Sequence, residues 1–87
     1  MKNKNLLITG AATRVGKAIA LHFAERGWNI ALHYFRSSAK AKELKKIIEQ
    51  HWVKVALIKA DLKNPKQTEK IIALGKKKLG TIDCLVN

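Results

Sequence analysis

The chain has 87 residues, 47% hydrophobic and 28% charged, a length and balance that fit one small globular domain and exclude a disordered segment. Eighteen Lys and Arg against six Asp and Glu give a formal charge of +12. That charge suits an anionic ligand, but the longest basic run, Lys76-Lys77-Lys78, has no interleaved aromatic residue, so nucleic acid is not the expected main partner.

The basic start, Met1-Lys2-Asn3-Lys4-Asn5, leads into Leu6-Leu7-Ile8, which is too short for a signal peptide's apolar core or a membrane helix. Leu6 to Thr9 is read as a first, buried strand ending in glycine. Arg14 to Arg26 follows as a helix, with Val15, Ala18, Ile19 and Phe23 at three- and four-residue spacing and Gly27 as its stop. Trp28 to Tyr34 is a second strand. Ser37 or Ser38 caps a helix to about His51, with Ala41, Leu44, Ile47 and Ile48 on its apolar face.

Val53 to Lys59 is a third strand. Asn64-Pro65 opens a third helix, which runs to about Leu79 and stops at Gly80. Gly75 inside it costs about 1 kcal/mol relative to Ala, so the helix is expected to weaken there. Ile82 to Val86 is a fourth strand. Trp28 and Trp52 each open a strand and are expected to pack in the core or at its rim, and Cys84 reads as a small buried apolar residue. A single cysteine excludes an intrachain disulfide and a thiolate zinc cage, and it suits a reducing, cytoplasmic setting.

Strand and helix alternate through a single unit spanning residues 1–87, with no linker or repeat. This implies a doubly wound parallel α/β sheet, in the order βαβαβαβ, with right-handed crossovers. By analogy with such folds the strand order is 3-2-1-4, a partial Rossmann sheet with the fourth strand at an open edge.

The turn Thr9-Gly10-Ala11-Ala12-Thr13-Arg14-Val15-Gly16-Lys17 carries the chemistry. A glycine after a strand permits a tight turn, and small residues let the backbone approach a ligand. The following helix then offers free amides and a positive dipole end to a pyrophosphate. A P-loop is excluded because five residues, not four, separate Gly10 from Gly16-Lys17 and Ala18 has no hydroxyl. The Gly-x-Gly-x-x-Gly fingerprint is broken by Ala12.

The turn resembles Thr-Gly-x-x-x-Gly-x-Gly, the cofactor turn of the short-chain dehydrogenases/reductases, with Arg14 in place of the middle glycine. Arg at that place is similar to the pteridine reductase branch. So is His33-Tyr34-Phe35-Arg36-Ser37, set against that branch's His-Tyr-x-Arg-Ser. Asp61-Leu62 after the third strand and Leu85-Val86-Asn87 at the end of the fourth also match the family, so the resemblance runs along the whole chain.

Cofactor choice follows from charge. NAD sites place a carboxylate near the end of the second strand, whereas no acid lies between Asn29 and Lys42 here and Arg36 stands ready for a 2′-phosphate. The expected cofactor is NADP(H). The resemblance implies that Arg36 and Ser37 hold the 2′-phosphate, with Arg14 bordering that side. It also implies that Asp61 accepts from the adenine amino group, that Leu62 packs on the ring, and that Asn87 lies beside the cofactor. Gly10, Thr13, Val15, Gly16 and Tyr34 complete the implied cofactor-binding set.

The family's Tyr-x-x-x-Lys pair, in which the tyrosine acts as general acid, has no counterpart in these residues: the one tyrosine, Tyr34, is followed four residues on by Ser38. No residue is therefore assigned as catalytic. His22, His33 and His51 lack metal-ligand spacing and are expected to be structural or on the surface, so no metal site is assigned. The expected function is that of the NADP(H)-binding N-terminal half of a short-chain reductase domain, truncated and inactive alone. The parent reaction would reduce a pterin-like or carbonyl substrate with NADPH, a separate chain carrying the C-terminal catalytic half is the partner this implies, and an oligomer stays open. A small basic nucleotide- or nucleic-acid-binding module and a degenerate remnant stay open as alternatives.

Overall fold

The computed structural model describes residues 3–11 and 13–87. Elements follow in the order β1 (Asn5–Ile8), α1 (Arg14–Glu25), β2 (Asn29–Tyr34), α2 (Ser38–Glu49), β3 (Val55–Lys59), α3 (Pro65–Leu79) and β4 (Cys84–Val86). The four strands form one parallel sheet in the order β3-β2-β1-β4, as the alternation of strands and helices implies.

Successive side chains of a strand point to opposite faces, so a sheet covered on both sides needs strands that are apolar throughout. Leu6, Ile8, Ile30 and Leu32 face α1 and α2, where they meet Ala20, Ala24, Leu44 and Ile48. Leu7, Ala31 and Ile58 face the other way and meet Ile71 of α3. Three layers result, with β1 and β2 wholly inside. Among the described residues β4 pairs with β1 alone, and Leu85 on it is 45% exposed.

Local chemistry sets the helix ends. The Thr13 hydroxyl accepts from the Gly16 amide at the start of α1 (3.0 Å), and the Asn64 side chain accepts from the Lys66 amide at the start of α3 (3.0 Å). Ser37 is the N-cap residue of α2, but its side chain makes no cap bond. Gly27 and Gly80 take positive φ, 83° and 102°, just after α1 and α3.

All four strands begin elsewhere than the sequence reading has them: β2 starts at Asn29 rather than Trp28 and β3 at Val55 rather than Val53, and one contact accounts for the starts of β1 and β4. β1 begins at Asn5, whose amide donates to the Asp83 carboxylate (2.8 Å), while the Asp83 amide donates to the Asn5 carbonyl (2.9 Å). A side chain takes the place of a ladder carbonyl, so β4 starts at Cys84 rather than Ile82. The Asn5 side chain then donates to the carbonyls of Leu79 and Thr81 (3.1 and 2.8 Å) and accepts from Asn29 (2.9 Å). Asn29 in turn accepts from the Lys54 amide (2.8 Å). This buried polar chain ties the amino ends of the strands together.

Three further expectations are corrected. Trp52 is not in the core: it is 93% exposed at φ 63°, and Val53 behind it is the buried residue. Trp28 does pack at the rim, edge-on to Phe23 at 4.9 Å between ring centroids. Cys84 is half-buried rather than buried, since it opens an edge strand. α3 runs unbroken through Gly75, which is buried; a Cβ there would lie 3.3 Å from Ile82 Cδ1 and 3.9 Å from Ala31 Cβ. Glycine lets the helix come close to the sheet at that point. No described helix is long and apolar enough to cross a membrane.

Candidate nucleotide-binding site

Because every strand is parallel, the carboxyl ends of all four lie at one edge of the sheet, and α1, α2 and α3 all begin there. Ligands of open α/β sheets bind in the crevice outside those ends, where the strand order reverses, which here is between β1 and β4. The first turns of all three helices carry no acidic residue. A first-turn acid is the usual complement to a helix's positive end, so three uncompensated dipole ends share this edge. Arg14, Arg36 and Lys66 are exposed beside them.

The turn after β1 is held from within. Gly10 takes φ 62°, and its carbonyl accepts from the Thr13 hydroxyl (2.9 Å) and the Thr13 amide (3.2 Å). Gly16 has no room for a side chain: a Cβ would lie 2.6 Å from the Gly10 carbonyl oxygen and 2.8 Å from Ala11 Cα. The Gly16 amide is spent on Thr13, which leaves the amides of Arg14 and Val15 without an intrahelical acceptor. The Val15 side chain is 70% exposed on that first turn. Thr13 therefore shapes the turn, with its hydroxyl engaged on both sides, and Gly16 allows helix and turn to meet.

The other expected residues gather along the same edge. Next to the turn, the Thr9 hydroxyl lies 3.3 Å from Asn87 Oδ1 and 3.4 Å from the Val86 carbonyl oxygen, so Asn87 stands against the end of β1. Tyr34 closes β2 half-buried, and Arg36 follows with its guanidinium carbon 5.1 Å from the Phe35 ring centroid. Ser37 is exposed and its hydroxyl is free of the cap. After β3, Asp61 Oδ1 accepts from the Lys63 amide (3.0 Å), and Leu62 is 40% exposed. Four strands spaced as in any sheet spread these groups over about 15 Å, from Asp61 and Leu62 through Arg36 and the glycine turn to Asn87.

One residue at this edge was not singled out from the sequence as part of the site. His33 is 3% exposed, and its Nδ1 accepts from the Gly10 amide (3.2 Å) while Nε2 lies 2.7 Å from the Ala60 carbonyl oxygen. A polar residue at the end of an otherwise apolar buried strand was the available signal. Among the described residues no group of three His, Cys, Asp or Glu side chains is placed to hold a metal ion.

A family model described as short chain dehydrogenase matches residues 4–87. The chain belongs to that family. The short-chain dehydrogenase/reductase homolog YusS of Bacillus subtilis is 34% identical over 85 residues, covering 98% of this chain and 78% of its own length. The 3-oxoacyl-[acyl-carrier-protein] reductase FabG of Staphylococcus epidermidis is also 34% identical over 85 residues, but there the match covers only 35% of the relative. This short-chain dehydrogenase chain thus spans about a third of FabG and most of YusS.

Solved structures agree. A putative dehydrogenase from Burkholderia cenocepacia with bound NADP superposes with a TM-score of 0.90 at 30% identity, over 97% of this chain and 33% of that one. The FolM alternative dihydrofolate reductase 1 from Brucella canis, complexed with NADP, gives 0.86 at 28% identity, over 95% and 33%.

Proposed function

We propose that these residues form the NADP(H)-binding part of a short-chain reductase whose reaction is hydride transfer from NADPH to a pterin-like or carbonyl substrate. The observation that carries this reading is the end of β2. Arg36 and the uncapped Ser37 stand there beside the bare first turn of α2, with no acid to meet a ribose 2′-hydroxyl. A guanidinium, a hydroxyl and free helix amides match a 2′-phosphate dianion and repel nothing in it. Two structural neighbours whose descriptions name bound NADP support the choice. The pterin-like substrate rests on Arg14, on the His33-Tyr34-Phe35-Arg36-Ser37 segment and on the likeness to a dihydrofolate reductase.

The residues present fit the cofactor. The glycine turn and the free amides of Arg14 and Val15 would take the pyrophosphate, Asp61 and Leu62 the adenine, and Asn87 the side nearer the nicotinamide. When bound, the cofactor supplies the hydride. The chain's own part is to hold and orient it. The proton donor comes from residues outside these 87, on a longer chain or a second one. Among the described residues the outer edge of β4 has no partner strand and Leu85 is exposed, which offers a place for a further strand to join.

Thermal melting with and without NADP tests the reading. A ligand at a hundred times its Kd stabilises by about 2.7 kcal/mol, so saturating NADP should raise the melting temperature by about 10 °C or more. An unchanged melt would contradict it. With NADPH and a pterin or carbonyl compound, these 87 residues alone should show only background oxidation.

A further inference from the structure

His33 stands at the carboxyl end of β2 without a contact role in the cofactor site described above. It is buried in the sheet, yet both of its ring nitrogens have partners on different turns. Nδ1 accepts from the Gly10 amide (3.2 Å), and an acceptor carries no proton, so Nε2 carries it and donates to the Ala60 carbonyl (2.7 Å). The backbone repeats the pattern. The His33 carbonyl accepts from the Ala11 amide (3.1 Å), and the Tyr34 carbonyl accepts from the Ala60 amide (3.1 Å). Two consecutive residues of β2 therefore grip the turn after β1 on one side and the turn after β3 on the other.

We infer that His33 is a positioning residue that locks the Gly10 turn and the Ala60-Asp61 turn into one rigid frame, setting the distance between the pyrophosphate seat and the adenine seat. This rests on the cofactor reading above for its consequence, though not for the brace itself. The Gly10 amide turned inward to His33 fixes the left-handed glycine, and with it the direction in which the Arg14 and Val15 amides point. The carbonyl held at Ala60 fixes the residue before Asp61. Only a neutral ring with the proton on Nε2 serves both partners, because a second proton on Nδ1 would face the Gly10 N–H.

Two substitutions separate the two bonds. His33→Asn keeps an acceptor near the Nδ1 position and loses the reach to Ala60. His33→Gln keeps a donor near the Nε2 position and loses the bond to Gly10. Hydrogen exchange followed by NMR should show the Gly10 amide exchanging faster in His33→Gln. In His33→Asn the Ala60 and Lys63 amides should exchange faster instead. The nitrogen spectrum of the unsubstituted protein should show Nδ1 without a proton.

Calorimetry should then show NADP binding about tenfold weaker in each variant, as expected for one lost hydrogen bond. 2′-AMP, which probes the adenine side alone, should be weakened by His33→Asn and not by His33→Gln. A protonated Nδ1, or exchange at both turns unchanged in both variants, would overturn the brace. Folded variants that bind NADP as tightly as the unsubstituted protein would overturn its role in the site. If the unsubstituted protein fails to bind NADP, the cofactor reading falls, while the exchange and nitrogen measurements still decide the brace.

Discussion

Gly16 sits against the carbonyl of Gly10, so close that a Cβ on Gly16 would lie 2.6 Å from that oxygen. The first turn of α1 and the turn that feeds it are thus one packed unit. Gly10 is different: it needs its positive φ, but a Cβ there would meet nothing within 4 Å.

The two glycines should therefore respond unequally. Gly16→Ala forces backbone against backbone and should cost about 1–3 kcal/mol of stability together with most NADP binding. Gly10→Ala should cost about 1–2 kcal/mol through backbone conformation alone. Denaturant unfolding of both variants, paired with calorimetry, checks the order. A Gly16→Ala protein as stable as the unsubstituted one would show that the turn is not packed this way.

Arg36→Ala should weaken NADP by about 1.5–3 kcal/mol, the size of a hydrogen bond to a charged group, and leave NAD untouched. Phe35→Ala removes the ring under the guanidinium and should cost about 0.5–1 kcal/mol of NADP affinity. Titrating both nucleotides against both variants separates loss of the phosphate contact from general damage, which would weaken NAD as well.

At the far end of the sheet, Asn5→Leu should destabilise by at least about 2 kcal/mol. It leaves the buried Asn29 amide and the carbonyls of Leu79 and Thr81 short of partners, and each unmet buried group costs about 1–3 kcal/mol. Asp83→Ala removes the carboxylate that accepts from the buried Asn5 amide and should cost about 1–3 kcal/mol. Unchanged stability of either variant in urea unfolding would contradict the network.

Trp52 offers the opposite sign. It holds a left-handed backbone while burying almost nothing. Trp52→Asn should stabilise by about 0.5–1 kcal/mol, since Asn tolerates that conformation better. A lower midpoint in denaturant would mean that the exposed ring makes contacts of its own.

The same residues show what the sequence could reveal. The βαβ alternation and the capping at Asn64 were legible because each depends on neighbours a few residues apart, and the strand order followed from the alternation by analogy with doubly wound folds. The ends of β1 and β4 were not, because Asn5 and Asp83 lie 78 residues apart and meet only in the sheet. Gly75 reads locally as a weak point. Only its approach to Ile82 shows why a helix would keep it. The glycine turn was legible from its spacing as a tight turn leading into the start of a helix. His33 was not, since its two partners, Gly10 and Ala60, come from different turns, and local pattern suggests only a buried histidine.

On the proposed function, the edge built from Gly10, Arg14, Arg36 and Ser37 selects a 2′-phosphorylated dinucleotide. Calorimetric titration of the unsubstituted protein with NADP and then NAD decides this. NADP should bind at least about tenfold more tightly, the return on one charge-assisted contact of about 1.5 kcal/mol or more. Equal affinity, or tighter NAD, would contradict the account.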